Sequence, residues 1–192
     1  MFNIIKKLLM ARELNMEEGQ ITILGQTVVM QPLVIWVKLQ KELEKRGMGY
    51  LVYVIAKDAG KEWLLGLKKH SNMSINDLVN WGVSTISFSG WGKTSILNYD
   101  QKNKRGIAHV SDSTFAKMYG PSRDPVDHVV RGFAAAAGCI YFGEDVDAVE
   151  TKCISTGSNI CEFIVKKYTA ASDDSEIVKK QLPFLFKEVK KT

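Results

Sequence analysis

The chain lacks the marks of several large functional classes. No uncharged apolar run approaches the roughly eighteen residues of a membrane-crossing helix. The longest candidate, Leu51 to Ala56 with its neighbours, is cut by Lys57 and Asp58, so no membrane span is expected. Cysteine is scarce: Cys139, Cys153 and Cys161 are three, which cannot all pair, and this points to free thiols in a reducing compartment. There is no glycine-rich nucleotide loop, no G-x-S-x-G elbow and no H-E-x-x-H pair. Gly90-Trp91-Gly92-Lys93-Thr94 ends like a phosphate loop but lacks that motif's first glycine. No internal repeat or low-complexity tract is present. The net charge of +5 is spread along the chain. Its densest groups, Lys102, Lys104 and Arg105, and Lys187, Lys190 and Lys191, read as a solvated turn and a solvated helix end, so no nucleic-acid face is evident.

What is present is a soluble composition, and 192 residues suit one domain with a real core. Residues 2–13 carry Ile4, Ile5, Leu8 and Leu9 at helical spacing. Lys6 and Lys7 split any leader-like core, so the segment reads as an amphipathic helix and the protein as cytoplasmic. Gly19 to Met30 reads as two short strands turning at Gly25. Pro32 opens a helix that runs to Lys45 and is stopped by Gly47 and Gly49. A second helix is expected from Tyr50 to Lys69, with Leu51, Val54, Ile55, Trp63, Leu64 and Leu67 inward and Gly60 as a close contact or a break. Ser74 with Asp77 caps a third. Two strands, Thr94–Asp100 and Gly106–Ser111, flank the basic turn. A short helix at 112–120, a turn at Pro121–Pro125 and a helix from Val126 to Tyr141 follow.

Strands at 145–153 and 160–168 come next. A last helix, capped by Ser172 or Asp173, is interrupted by Pro183. The expected class is α+β, an antiparallel sheet with helices packed on one side. Its parts are a helical, dimerising part at 1–90, a sheet and hairpin part at 91–168 and a C-terminal helix at 172–190.

The chemistry gathers at Glu150-Thr151-Lys152-Cys153 and Cys161. Between them, Ser155 to Asn159 is small and polar, and Gly157 is free to take a positive φ, so the stretch folds back as a hairpin. Cys153 and Cys161 then approach across the turn, with Glu150 one step further from the tip. Two thiolates and a carboxylate on this frame can serve as three ligands of a tetrahedral Zn²⁺. The plainer alternative is a non-bonded pair of cross-strand thiols, with Cys139 a small core residue.

The E-T-K-C-x7-C pattern, preceded by the small-residue run Gly132 to Gly138, resembles the 4-vinyl reductase domain, also the sensor half of bacterial phenol-responsive activators. The close match spans about residues 121 to 167. The resemblance implies that Glu150, Cys153 and Cys161 bind a structural zinc. In the activators a cysteine after a Pro-Val pair supplies the fourth ligand. Here Pro125-Val126 is followed by Asp127, with His128 and Cys139 as alternative donors.

The resemblance also implies an interior pocket for a hydrophobic, aromatic or hydrocarbon molecule. Trp81, Phe88, Trp91, Tyr119, Phe133 and Tyr141 are its candidate walls, although each also reads as ordinary core. The fold is similar as well to subunits of the TRAPP vesicle-tethering complex, which dimerise through helices and bury an acyl chain. The expected function is therefore a non-enzymatic sensor or carrier, acting as a homodimer. The alternatives are a TRAPP-like scaffold and a component of tetrapyrrole vinyl reduction, although no hydride carrier site is visible. The activators' ATPase and DNA-binding domains are not recognised here, so a sensor is expected to signal to another protein.

Overall fold

The computed structural model describes residues 14–186. The amphipathic segment at 2–13 and the lysines Lys187, Lys190 and Lys191 lie outside the described residues.

The chain first builds a small antiparallel sheet from β1 (Leu14–Glu17), β2 (Gln20–Ile23) and β3 (Gln26–Val28), in that order. The β2–β3 turn is Leu24-Gly25, both in the left-handed region with φ of 49° and 72°, as a tight two-residue hairpin requires. A side chain at Gly25 would also strike the His70 ring. Strand β1 was not expected, because Leu-Asn-Met-Glu offers little apolar alternation.

Helix α1 (Leu33–Lys45) starts after Pro32, which stands just outside it as the N-cap. Helix α2 (Tyr50–His70) is continuous, and α3 (Ile75–Phe88) is capped by Ser74, whose hydroxyl accepts from the Asp77 amide. The inward face of α2 differs from the expected one. Leu64 and Leu67 are buried and Leu51 and Trp63 half-buried, but Val54 and Ile55 are 38% and 64% exposed; Val52, Tyr53, Ala56 and Gly60 point inward instead. The cause is close helix packing. At Gly132 an added Cβ would lie 2.6 Å from the Ala56 Cβ and 2.8 Å from the backbone of Lys57 and Tyr53, and at Gly60 it would meet Phe133 and Ala136. Small residues set this contact, and bulk hydrophobicity does not reveal them.

The main sheet joins β4 (Lys93–Asp100), β5 (Arg105–Ser111), β6 (Asp147–Lys152) and β7 (Ile160–Lys166) in the antiparallel order β4-β5-β7-β6. Gly90 to Thr94 leads into β4 and not into a helix, so it lacks the geometry of a phosphate loop. Strands β5 and β7 alternate strictly. Ala108, Val110, Cys161, Phe163 and Val165 face inward, while the outer face pairs His109 with Glu162 at 2.9 Å. Helix α4 (Thr114–Tyr119) and the long α5 (His128–Phe142) follow β5. Gly138 of α5 rests on Val165 and Val146, letting the helix lie close on the sheet.

The last helix is shorter than expected. Helix α6 (Glu176–Gln181) begins at Ser175, and Pro183 restarts the chain as a 3-10 turn, Pro183–Leu185. Asp173 does not cap it; its carboxylate accepts from the Thr169 amide and pairs with Lys166. Among the described residues no helix is long and apolar enough to cross a membrane.

Candidate metal centre

The β6–β7 hairpin solves a parity problem. Residues 150 and 153 of a regular strand point to opposite faces, yet both serve one site here. The register shifts between Glu150 and Lys152, and the chain then leaves the strand in a 3-10 turn, Ile154–Thr156, closed by Gly157 at φ 95°. A bulge of this kind re-aims the side chains that follow it. Cys161, near the start of β7, faces back from the other arm.

Asp127 enters from α5. It is the N-cap residue, a position where aspartate ordinarily binds the first helical amides, yet its side chain makes no capping bond. Its amide instead donates to Glu150 Oε2 at 2.9 Å, and its Oδ1 accepts from the Ser113 hydroxyl at 3.0 Å. The carboxylate is thus turned away from its own helix and towards the hairpin.

Ligand atoms of Asp127, Glu150, Cys153 and Cys161 all lie within 4.8 Å of one another, and all four residues are buried. The two sulfurs are free thiols 3.9 Å apart. Thiolates at about 2.3 Å from a tetrahedral ion stand roughly 3.8 Å apart, so this separation suits a shared ion. Asp127 Oδ2 and Glu150 Oε1 are buried without a hydrogen-bond partner, an arrangement that is costly unless another group completes them.

Electrostatics agree. Burial pushes Asp127 up to about 6. Burial, then the neighbouring charges of Asp127 and Cys153, push Glu150 well above the usual carboxylate range. The bond from Cys161 holds the Cys153 thiol down to about 5, and its position as donor, together with burial, pushes Cys161 up. Four such groups cannot all ionise side by side, whereas a divalent cation reverses that balance.

The surrounding shell fixes the ligands. The Gln181 amide accepts from the Glu150 N–H and donates to its carbonyl, both at 2.8 Å. The Ile154 amide donates to Cys161 Sγ at 3.4 Å. Gln181 and Ser113 were missed by sequence reasoning; Ser113 had a signal, since it opens a short helix, but Gln181 acts from a distant helix and had none.

The other candidates are not brought to the cluster. His128 turns to α1, its Nε2 lying 3.4 Å from Glu44 Oε1. Cys139 is roughly 18 Å further along α5, where its sulfur accepts from the Val146 amide. The six aromatic residues divide between packing groups. Trp91 stacks on Phe115 and with Phe133 packs on Val52, Ala56 and Val129. Tyr119 bonds Glu44 and lies against Phe115. Trp81, Phe88 and Tyr141 pack around Leu64, Leu67, Leu78 and Val79. An open depression of about 280 Å³ is lined by Asn76, Val79, Asn80, Ile96, Tyr99 and Tyr141, and so by one of the six.

The fold and the cluster define an α+β domain built around a ligand-rich hairpin. Residues 107–167, from β5 through β7, match the model of the vinyl-4-reductase (V-4-R) domain, and the chain carries that domain there. The fold is shared with solved structures. The phenol-responsive sensory domain of the transcription activator PoxR, solved with phenol, has a TM-score of 0.70 and 19% identity over 93% of this chain and 94% of that one. A vinyl-4-reductase family protein from Methanocaldococcus jannaschii has a TM-score of 0.51 and 17% identity over 73% and 84% of the two chains. A trafficking protein particle complex subunit 3 from Naegleria fowleri, covalently bound to palmitic acid, has a TM-score of 0.50 and 9% identity over 70% and 93%. No curated protein sequence matches the chain.

Proposed function

We propose that the protein is a small-molecule-binding domain, a sensor or carrier, in which Asp127, Glu150, Cys153 and Cys161 hold one structural Zn²⁺. The observation that carries this reading is the closed, buried set of four ligand atoms with two carboxylate oxygens lacking partners. Two thiolates with two carboxylates suit zinc, and four protein ligands leave no open position for water, as in structural rather than hydrolytic sites. The ion would pin both arms of the β6–β7 hairpin to the start of α5, and its binding energy would add to folding. The likeness to a phenol-bound sensory domain and to a palmitate-bound subunit favours an apolar guest. Free thiols at all three cysteines favour a reducing compartment such as the cytoplasm.

The test has two parts. Metal analysis of protein as isolated is expected to give about one zinc per chain. Native mass spectrometry and thermal shift with phenol are expected to reveal a retained or added guest. Protein without zinc, and without any shift, sinks the reading.

A second reading, a TRAPP-like assembly or homodimer, is favoured by Ile35 and Leu39 of α1 with Val54 and Ile55 of α2, all exposed large apolar residues. Light scattering on purified protein decides it: a dimer supports this reading and a monomer removes it.

A further inference from the structure

Among the described residues Arg131 is the largest fully buried side chain. It stands one turn after Asp127, on the side of α5 that meets α2. Its Nη1 donates to the main-chain carbonyls of Gln181 at 3.0 Å and Ala148 at 3.3 Å. Its Cζ lies 4.0 Å from the centre of the Tyr53 ring, over the ring face. Nε and Nη2 have no protein acceptor. Those two N–H groups share one edge of the guanidinium, the edge whose parallel donors match the oxygens of a carboxylate.

The acids nearby are engaged elsewhere. Asp147 accepts from the Tyr53 hydroxyl at 2.6 Å and from Lys57 at 2.8 Å, and Asp145 also pairs with Lys57. Asp127 and Glu150 belong to the metal cluster. A buried cation with a complete but unused pair of donors is costly unless an anion meets it.

We propose that the Nε–Nη2 edge of Arg131 receives the carboxylate of an interior guest, so that the ligand class is a monocarboxylic acid with an apolar body. This rests on the small-molecule-binding reading above and narrows it. The apolar body has aromatic neighbours at hand: Phe184 lies parallel to Tyr53, with ring centres 6.4 Å apart. Phe184 belongs to the short turn after α6, the same segment whose Gln181 carbonyl Arg131 holds. Exchange of the guest therefore requires that this turn lift.

Isothermal titration calorimetry on the full chain with its metal retained tests the proposal, using benzoate and octanoate against the neutral benzamide and octan-1-ol. The acids are expected to bind at least about tenfold more tightly than their neutral counterparts, because a charge-assisted pair of hydrogen bonds is lost in the latter. Arg131→Gln should abolish that preference, and Arg131→Lys, which keeps the charge without the paired donors, should retain only part of it. If Arg131→Gln does not fold, the acid-to-neutral ratio of the unaltered protein and the Arg131→Lys variant still decide. Equal affinity for acids and neutral compounds, or an Arg131→Lys protein that binds acids like the parent, overturns the proposal and leaves the broader reading standing. Binding of neither class overturns both.

Discussion

The two sheets are built by the same antiparallel rule and reach different ends. In the β1–β3 sheet most side chains stay in solvent, and only Ile23 and the turn residue Leu24 are buried, against the C-terminal half of α2. In the β4–β7 sheet Cys161, Phe163 and Val165 are completely buried, because α5 is lined with glycine and alanine and can settle directly on them. A strand pattern becomes a core only when the covering helix can approach, and a buried hairpin can then hold charged ligands that an exposed one would leave to water.

The comparison breaks most severely at the hairpin. Cys161→Ser and Cys153→Ser should each lose the metal and destabilise the protein by about 3–5 kcal/mol, since removal of one ligand leaves the rest of a buried charged set uncompensated. Metal analysis and denaturant melts check this. Next in size is the helix that covers the sheet. Gly132→Ala places a methyl against Ala56 and the α2 backbone, where flexible side chains cannot yield, and should cost about 1–3 kcal/mol in the same melts.

A pH-dependent effect lies just past β7. Burial alone would raise Asp173, but bonds from Lys166, Ser172 and the Thr169 amide outweigh it and hold the carboxyl below the usual range. A folded pKa below the unfolded one contributes stability that is present above about pH 4 and lost as pH falls further. Asp173→Asn should therefore melt lower than the parent at pH 7, and the two should converge near pH 3. The smallest effect belongs to the first sheet. Met16→Lys, at a position 63% exposed in β1, should change stability by less than about 0.5 kcal/mol. A larger loss there would mean that the two sheets are more alike than their burial implies.

Much of the site was legible in the sequence because its signals are local. Turn residues Ser155 to Asn159 and the flanking Glu150, Cys153 and Cys161 sit on one hairpin, and Asp127 follows Pro125-Val126 at the start of a helix. What was not legible depends on contacts between distant segments. The bulge at Thr151, which lets Glu150 and Cys153 share a face, leaves no composition signal. Gln181 reaches Glu150 from α6, thirty-one residues on. The face of α2 was mistaken because Ala56 and Gly60 are valued for being small, while Ile55 is large and yet exposed. The aromatic residues were grouped by type, and the structure distributes them over separate packing groups.

The measurement that bears most directly on the central claim is X-ray absorption at the zinc edge of protein purified without added metal. Two sulfurs at about 2.3 Å and two oxygens at about 2.0 Å around one zinc per chain are the predicted shell. A sample free of zinc, or a shell of light atoms without sulfur, would contradict it.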